Sequence, residues 1–294
     1  PVLMRSPLEL EKYCQPFMAN QGKHLITSLV PTQLKRLLDH SAGIQWLQAF
    51  SVIWIGGSPL PEQLAQNARR KRIRLAPCYG TSETMAMIAA LFPDDFLKGR
   101  TDCGMPMIDI ELRLRGNEAL EIRTPRLATS INANGSLTEI DNKDGWWESG
   151  DSAQLIHEGN QIRVQIIGRR DTAIHSGGET IFPEKLQEKL LTAALENDIP
   201  VESLLLLGTA HEEWGERLIA LVRLSSAYSG SQSSKIFIAL KKLVKQWSPA
   251  EKPMKWYQCQ QLTTNGIGKW EVNKWREWIK SKQPIIDRST NKYQ

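Results

Sequence analysis

The sequence has few cysteines and no long apolar run. Its four cysteines lack the Cys-x-x-Cys spacing of zinc sites and are typical of free thiols in a reducing compartment. No apolar stretch approaches the roughly 20 residues that a membrane-crossing helix needs. The first residues, Pro1–Arg5, do not have the pattern of a secretory signal. We therefore expect a cytoplasmic protein without structural zinc, disulfides or a membrane span.

Several catalytic signatures are also missing. The five histidines have no metal-ligand spacing, and the Gly-x-Ser-x-Gly elbow of serine hydrolases does not occur. The segment Thr264–Lys269 is similar to the end of a Walker phosphate loop. Thr263 and Trp270, however, replace the first glycine and the final hydroxyl residue of that motif. A histidine-bound metal, a serine hydrolase and a Walker-type nucleotide hydrolase are therefore not expected.

The composition is that of a globular protein. Of its 294 residues, 41% are hydrophobic and 23% are charged, and a chain of this length favours one large and one small domain. The net charge of +5 is spread along the chain, with one basic run at Arg69–Arg72. That run ends a helical pattern and is typical of a solvated face, so we do not expect nucleic-acid binding. The mild positive balance suits an acidic, phosphate-bearing small substrate.

The order of apolar segments predicts the architecture. Up to about residue 104, short apolar runs alternate with helical patterns, which favours an α/β fold. The run Ser51–Ile55 is typical of a strand buried in a parallel sheet. From about 105 to 167, short alternating strands separated by turns predict a small β-barrel. Residues 172–294 mix helices and apolar strands, which predicts a compact α+β domain with a polar tail from about residue 281.

Two turns follow predicted strands. Gly56–Ser58 follows Ser51–Ile55, and open α/β sheets bind ligands beyond the carboxyl ends of their strands. A tight connection from strand to helix would use the same residues. Tyr79–Thr84 combines an aromatic ring, a glycine, hydroxyls and a carboxylate, which are the parts of a magnesium–nucleotide site. A capping box before a helix would also use them, so both interpretations stay open for each turn.

Three further segments could carry chemistry. Gly145–Asp151 places a carboxylate in a glycine turn, where aspartate is also common for structural reasons. Gly168–Pro183 is charged and glycine-containing, and it is either a hinge with ligand contacts or an ordinary surface loop before a helix that Pro183 can begin. Lys269 is either a solvated charge or a mobile cation that stabilises a phosphorus transition state.

These segments resemble the acyl-adenylate-forming (AMP-binding) enzymes, a superfamily of acyl-CoA synthetases, luciferases and peptide-synthetase adenylation domains. Tyr79–Thr84 is similar to the family block Tyr-Gly-x-Thr-Glu, and Gly145–Asp151 to Gly-Trp-x-x-Thr-Gly-Asp. Gly168–Pro183 resembles the hinge motif of the family. Leu29–Leu34 and Gly56–Leu60 are similar to blocks of the 2-succinylbenzoate–CoA ligases in particular. The blocks follow the family's order and span nearly the whole chain.

The resemblance implies a role for each candidate residue. Tyr79 would stack on adenine, while Asp151 and Arg169 would bind the ribose. The full set of implied nucleotide-binding positions is Tyr79, Gly80, Gly57, Ser58, Asp151 and Arg169. Ser82 stands where the family usually has threonine but keeps the hydroxyl, and it would contact the phosphate or acyl group. Glu83 would hold Mg²⁺.

The remaining implied roles concern the second half of the chain. Lys269 would act in catalysis with Glu83 and Ser82, reaching the substrate carboxylate and the α-phosphate during adenylation. Asp171 would be the hinge pivot about which the small domain rotates. Gly177 and Gly178 would line the channel for the thiol of coenzyme A.

The resemblance also implies a fold and a reaction. The fold would be the C-terminal part of a large α/β plus β-barrel adenylation domain, ending at about residue 170, followed by a small α+β lid domain over 172–294. The reaction would be ATP- and Mg²⁺-dependent formation of an acyl-adenylate and then of a CoA thioester. The expected acid is 2-succinylbenzoate, of menaquinone and phylloquinone biosynthesis.

One feature of the family is absent from the sequence. The phosphate loop Thr-Ser-Gly-Thr-Thr-Gly-x-Pro-Lys does not occur among the 294 residues. In the family it precedes the region that residues 1–50 resemble, so we expect a missing N-terminal segment, in a longer chain or in another polypeptide, or a degenerate protein. A homo-oligomer also stays open. The alternative functions are a non-catalytic adenylate-binding or assembly module and a CoA synthetase for another acid.

Overall fold

The computed structural model describes residues 25–116, 118–133, 136–225, 231–265 and 270–287. The chain divides into two compact units, the first ending at Ile167 and the second beginning at Gly168. In these ranges every helix is too short or too polar to cross a membrane.

The first unit contains a five-stranded mixed sheet with the order β1-β2-β3-β4-β5. The first three strands are parallel, and the last two pairings are antiparallel. The strands are β1 (Ile26–Leu29), β2 (Val52–Ile55), β3 (Leu75–Thr81), β4 (Ala86–Ala90) and β5 (Met105–Pro106). The helices of this unit are α1 (Pro31–Leu38), α2 (Ser41–Gln48), α3 (Glu62–Arg70) and α4 (Pro93–Leu97).

The predicted alternation of strands and helices in this region is confirmed, and its physical basis is visible in α1. Pro31 occupies the first turn, where its missing N–H is not needed. Leu34, Leu37 and Leu38 have helical spacing, and all three are buried. They join Ile53 of β2 and others in one core cluster, so α1 is fixed against the parallel part of the sheet.

The region expected to form a small barrel contains a four-stranded antiparallel sheet and a separate hairpin. The order of the sheet is β11-β10-β7-β6. Its strands are β6 (Glu111–Arg115), β7 (Ala119–Arg123), β10 (Trp147–Glu158) and β11 (Gln161–Arg169), and the hairpin consists of β8 (Ser130–Ala133) and β9 (Ser136–Glu139). Leu120, Ile122 and Val164 bury the inner face of this sheet in a cluster with Ile88 of β4.

The second unit is built on a six-stranded sheet. The order is β13-β12-β15-β16-β17, and β14 pairs with β15. The strands are β12 (Ile174–Ser176), β13 (Glu179–Ile181), β14 (Val201–His211), β15 (Gly215–Leu224), β16 (Lys255–Gln258) and β17 (Ile286–Asp287), and the helices are α5 (Pro183–Glu196), α6 (Ser231–Leu243) and α7 (Val272–Lys280).

Both faces of the central hairpin β14–β15 are covered, which explains its uninterrupted apolar runs. Leu204 and Leu206 point to one core cluster, formed with residues of α5 and α6. Leu205 and Leu207 point to the opposite cluster, which contains Trp275 of α7. Because successive side chains of a strand alternate between faces, a strand that is covered on both faces is apolar at nearly every position.

Candidate active site

The carboxyl ends of β1, β2 and β3 form the first part of the candidate site. The register pairs Leu29 with Ile55 and Ile55 with Pro77, so β1 and β2 end at the same edge, and β3 continues beyond that edge to Thr81. Gly56 follows β2, and its N–H donates to the carbonyl of Leu29 over 3.3 Å. A Cβ atom on Gly56 would lie 3.1 Å from Sγ of Cys78. The turn after β2 is therefore packed closely against β3, the strand that carries Tyr79.

Gly57 and Ser58 lie in this turn and are both exposed. Gly57 has a φ of +83°, a conformation that side chains of L-residues disfavour. The next helix, α3, begins at Glu62. The glycine is thus needed by the backbone, and the exposed Ser58 lies beyond the carboxyl end of a central strand. The backbone geometry agrees with a tight connection, and ligand binding at this turn stays a prediction.

Tyr79–Thr84 lies in a β-hairpin, so the interpretation as a capping box before a helix is wrong. β3 ends at Thr81, Ser82–Thr84 form a 3-10 turn, and β4 begins immediately after Met85. Met85 has a φ of 55° in the left-handed region. The fully buried Thr84 places its Oγ1 3.3 Å from the carbonyl oxygen of Thr81. The buried Thr84 therefore stabilises the turn through its contact with Thr81. Ser82 is exposed and Glu83 is half-buried.

The Glu83 carboxylate is the one candidate metal ligand of this turn. The backbone at Glu83 is held in place, because the N–H of Ala128 donates to the Glu83 carbonyl over 2.7 Å. No group of three or more histidine, cysteine or acidic side chains that could hold a metal was found in the part of the chain that the structure describes. A magnesium ion is usually held by one or two carboxylates together with substrate phosphates. The turn fits that mode and does not fit an all-protein cage.

Asp151 is buried in β10 at an irregularity of the strand. The pairing of β10 with β7 shifts register between Glu148 and Ser152, and Gly150 has a φ of 75°. The Asp151 N–H donates to Oγ of Ser149 over 3.2 Å, and the Ser149 hydroxyl donates to the Leu120 carbonyl over 3.0 Å. Only 4% of Asp151 is exposed. The bulge therefore turns a carboxylate inward at a fixed position.

Tyr79 and Asp151 meet directly. The phenol of Tyr79 donates a hydrogen bond to Oδ2 of Asp151. The structure thus brings together two residues that the sequence motifs placed in separate blocks. Ser149 and Thr84 hold these blocks in place and were not among the predicted site residues, although both stand inside the quoted motifs.

Arg126 is a supporting residue that no sequence motif indicated. Its guanidinium forms two hydrogen bonds with the Asp109 carboxylate, at 2.6 and 3.3 Å, and donates to the Met87 carbonyl at 3.0 Å. Bidentate arginine–carboxylate pairs are geometrically specific. The hydrogen bond to Met87 links the chain after β7 to β4. Met87 is close in sequence to the turn that carries Glu83.

The predicted solvated face at Arg69–Arg72 is wrong for Arg69. Its Nε donates to the Phe96 carbonyl and its Nη2 to the Arg100 carbonyl, each over 2.9 Å. Its guanidinium also lies 4.5 Å from the centre of the Phe96 ring. Arg69 is therefore a structural link between α3 and the segment around α4.

In the second unit, the last residue of β11 takes part in a bidentate ion pair. Nε and Nη2 of Arg169 lie 3.0 and 2.8 Å from the two carboxylate oxygens of Asp171. These hydrogen bonds lower the pKa of Asp171 below its ordinary value. The Thr172 hydroxyl donates to the Arg169 carbonyl over 3.2 Å and closes the turn. The predicted ribose ligand and the predicted hinge pivot are therefore partners of one another in this unit.

Gly177 and Gly178 form a two-residue hairpin turn between β12 and β13. Their φ values of 59° and 87° are both positive, as a type I′ turn requires. A Cβ atom on Gly177 would lie 2.7 Å from Cε3 of Trp214, whereas nothing lies within 4 Å of one on Gly178. Gly177 is thus closed in by an indole ring, and Gly178 is open to an approaching ligand.

The segment around Trp214 supports that hairpin. Glu216 accepts a hydrogen bond from the His175 N–H at 3.1 Å. Arg217 places its guanidinium 4.4 Å from the centre of the Trp214 ring. Lys269, the remaining predicted catalytic residue, lies outside the described residues. Asp151 and Arg169 lie in different units.

Comparison with known proteins identifies the class. Residues 16–127 match the family model "AMP-binding enzyme". Over these residues the chain is similar to AMP-binding enzymes, and its mixed α/β fold is that of adenylate-forming enzymes.

Within this class the chain is similar to 2-succinylbenzoate–CoA ligases. It is 28% identical to the ligase of Escherichia coli over 87% of this chain and 51% of the relative. It is 31% identical to that of Salmonella typhimurium over 68% of this chain and 40% of the relative. The chain thus spans about half the length of the curated relatives it matches.

Solved structures give the same picture. Wild-type E. coli MenE, with a bound phenylether-linked analogue of OSB-AMS, matches with a TM-score of 0.62 and 26% identity, over 91% of this chain and 54% of that one. The Bacillus subtilis o-succinylbenzoate coenzyme A synthetase, in complex with ATP and magnesium ion, matches with a TM-score of 0.71 and 20% identity, over 92% and 54%. The second likeness is one of fold alone.

Proposed function

We propose that the chain is part of an AMP-forming acid–CoA ligase that uses ATP, Mg²⁺ and coenzyme A, and that its acid is 2-succinylbenzoate. The observation that carries the proposal is the hydrogen bond from Tyr79 to the buried Asp151. It joins an aromatic ring and a carboxylate at the end of the parallel strands, where α/β sheets bind their ligands. The names of the relatives support the reaction class.

Each residue of the first unit has a task that fits its surroundings. The half-buried Tyr79 offers a ring face for adenine, and the buried Asp151 offers acceptor oxygens for ribose hydroxyls. Gly80 keeps the end of β3 free of side-chain bulk, and Gly57 and Ser58 line the neighbouring turn. Carboxylates buried in this way bind hydroxyl groups strongly, because their hydrogen bonds are charge-assisted.

The turn Ser82–Thr84 would receive the phosphates. Glu83 would hold Mg²⁺, which neutralises phosphate charge when it is bound. The exposed Ser82 hydroxyl would donate to a phosphate or acyl oxygen. One half-buried carboxylate suits a magnesium ion that takes its other ligands from water and phosphate.

The second unit would supply the parts that change between the two steps of the reaction. Asp171 would be the pivot, Arg169 a ribose contact, and Lys269 the cation that stabilises charge during adenylation. Gly178 would line the thiol path, since its surface is open. Gly177 would serve this path indirectly by keeping the hairpin against Trp214. Closure of a small domain that assembles a site in sequence is a common gating device.

The assignment of 2-succinylbenzoate as the acid substrate is supported by similarity to known proteins and not by a pocket within the described residues. Several relatives are 2-succinylbenzoate–CoA ligases, which supports this acid over a fatty or another aromatic acid. A ligase of this kind would act in menaquinone or phylloquinone biosynthesis. Its soluble substrates and the free thiols of this chain support a cytoplasmic location, which cell fractionation would test.

Binding of AMP to the purified chain tests the nucleotide site. We expect the Asp151→Asn variant to weaken AMP binding several-fold in isothermal titration calorimetry. The wild-type chain should also bind 2′,3′-dideoxy-AMP more weakly than AMP, since that ligand lacks the ribose hydroxyls. Equal affinity for the two nucleotides would contradict the assignment of Asp151.

Pyrophosphate exchange separates a ligase from a non-catalytic adenylate-binding module. The assay uses the chain joined to an upstream segment that carries the phosphate loop, with ATP, Mg²⁺ and a panel of acids. A ligase for 2-succinylbenzoate exchanges pyrophosphate with that acid and not with benzoate or a fatty acid. AMP binding without exchange for any acid would instead favour the module.

A further inference from the structure

A cleft in the second unit has a lining unlike that of the proposed active site. Its volume is about 510 Å³, within the usual range of small-molecule sites. It lies between the hairpin β14–β15, the strand β16 and the helix α7. The lining residues that matter here are Glu216, Lys255, Tyr257, Arg276, Ile279 and Lys280.

The fold places three cations in the lining of this cleft. Lys255 and Tyr257 are two residues apart on β16, so their side chains share a face of the sheet. Arg276, Ile279 and Lys280 are spaced by three and four residues, which brings them to one face of α7. Tyr257 also contacts Trp278 edge-on, with ring centres 6.4 Å apart, so α7 is held beside β16.

The lining contains more cations than carboxylates. Glu216 contributes the one carboxylate of the lining, and it already accepts a hydrogen bond from the His175 N–H. Lys280 pairs with Glu277 on the solvent side, with 2.6 Å between Nζ and Oε1. Arg276 has no ion pair in the described ranges. Arg276 is an exposed residue of the lining.

We propose that this cleft binds a small phosphate monoester. The phosphate would be held by Arg276 together with Lys255 and Lys280, because an arginine fork binds phosphate oxygens in pairs and lysines add point charge. The organic part of the ligand would contact Tyr257 and Ile279, which contribute apolar surface to the lining. The site uses none of the residues proposed for the ligase reaction, so it stands independently of that function.

Calorimetric titration of the full chain tests the proposal, with phenyl phosphate, inorganic phosphate and phenol as probes. We expect phenyl phosphate to bind more tightly than either of its parts, with an affinity that falls as salt is raised. The Arg276→Gln variant should bind phenyl phosphate about fivefold or more weakly, and Lys280→Gln should weaken it as well. Arg276 is exposed, so its replacement leaves the fold intact, as circular dichroism would verify.

Lys274→Gln is the matched control, since it removes the same charge from the same helix. Lys274 does not line the cleft and lies 3.7 Å from Glu271. The control should bind phenyl phosphate like the wild type. Equal weakening by Lys274→Gln and Arg276→Gln would mean that only general surface charge acts, and unchanged binding by Arg276→Gln would also overturn the proposal.

Discussion

The phenol of Tyr79 donates a hydrogen bond to the carboxylate of Asp151, 72 residues further along the chain. This contact connects the mixed sheet of the first unit with the antiparallel sheet that follows it. Because Asp151 is almost completely buried, its carboxylate depends on such donors. The contact therefore contributes both to stability and to the shape of the proposed nucleotide site.

Replacement of Tyr79 by Phe tests this contact. The ring stays and the donor is lost, so we expect a loss of roughly 1–3 kcal/mol in the free energy of unfolding, as is usual for a hydrogen bond to a buried charged group. Urea denaturation followed by circular dichroism measures it. AMP affinity should fall too, because Asp151 would lose one of its orienting partners. An unchanged denaturation midpoint would show that the contact adds nothing to stability.

The two glycines of the β12–β13 turn should respond differently to replacement by Ala. Both have positive φ, so each variant carries about 1–2 kcal/mol of backbone strain. Gly177→Ala also forces its Cβ against the Trp214 ring, and overpacking adds a further cost of about 1–3 kcal/mol. We expect Gly177→Ala to lower the unfolding free energy clearly more than Gly178→Ala does, as measured by urea denaturation.

Gly178→Ala serves as the matched control in that pair and as a test of the thiol path. Its Cβ meets no neighbour, so its effect on stability should be the smaller one. If Gly178 lines the path, its variant in the completed enzyme should raise the KM for coenzyme A while adenylation continues at the normal rate. A larger loss of stability for Gly178→Ala than for Gly177→Ala would contradict the packing described for this turn.

The Arg169–Asp171 pair makes stability depend on pH in a defined direction. The pKa of Asp171 is lowered by the hydrogen bonds from Arg169. A carboxyl whose pKa is lower in the folded state contributes stability above its unfolded pKa, near 3.9, and loses it as the pH falls through the folded value. Both side chains are more than half exposed, so the contribution should stay below about 1 kcal/mol.

Titration of the Asp171 carboxyl carbon by NMR measures this effect directly. In the Arg169→Gln variant the pKa of Asp171 should rise toward its ordinary value. The Arg170→Gln variant removes a charge at the next position and should change the pKa of Asp171 less. Equal shifts in the two variants would show that general charge, and not the bidentate contact, lowers the pKa.

Burial should make the described cysteines slow to alkylate. It raises the pKa of Cys78 and Cys259, and it raises the pKa of Cys103 to about 12. Since the thiolate is the reactive form, iodoacetamide at pH 8 should label Cys103 far more slowly in the native protein than after unfolding. Mass spectrometry of timed samples gives both rates. Rapid native labelling of Cys103 would contradict this environment.

Lys269 gives a prediction for the reaction itself. In the chain completed by an upstream phosphate-loop segment, Lys269→Ala should reduce acyl-adenylate formation by roughly 100-fold or more, as expected when a transition-state charge partner is lost. Thioester formation from added acyl-adenylate should continue. Lys274→Ala is the control, and normal adenylation by Lys269→Ala would refute the catalytic role.

The 294 residues alone should bind adenylate weakly and show no pyrophosphate exchange.

Much of the fold could be predicted from local patterns. The strand β2 was predicted because its apolar run is continuous, as in a strand buried on both faces. The alternation of helices and strands in the first unit was predicted from hydrophobic spacing of the kind seen in α1. Patterns of this kind arise because an entire face of a helix or strand is buried, and that burial determines the spacing of apolar residues in the sequence.

Other features depend on contacts between distant segments and left no such trace. The segment Ala86–Ala90 is rich in alanine and methionine, which favour helices, yet it forms β4 because it is paired on both sides. Arg69 was expected in solvent, but its partners are carbonyls about 30 residues away. The contact between Tyr79 and Asp151 likewise appears only when two sheets are folded together.

The ion pair between Arg169 and Asp171 has a consequence for how Arg169 could bind a nucleotide. Nε and Nη2 of Arg169 already donate to Asp171. These two donors are therefore not available to ribose hydroxyls while the ion pair is present. If Arg169 turns toward a nucleotide, it releases Asp171 in the same movement. If Asp171 is the hinge pivot proposed above, binding of a nucleotide by Arg169 would also break the ion pair that restrains Asp171.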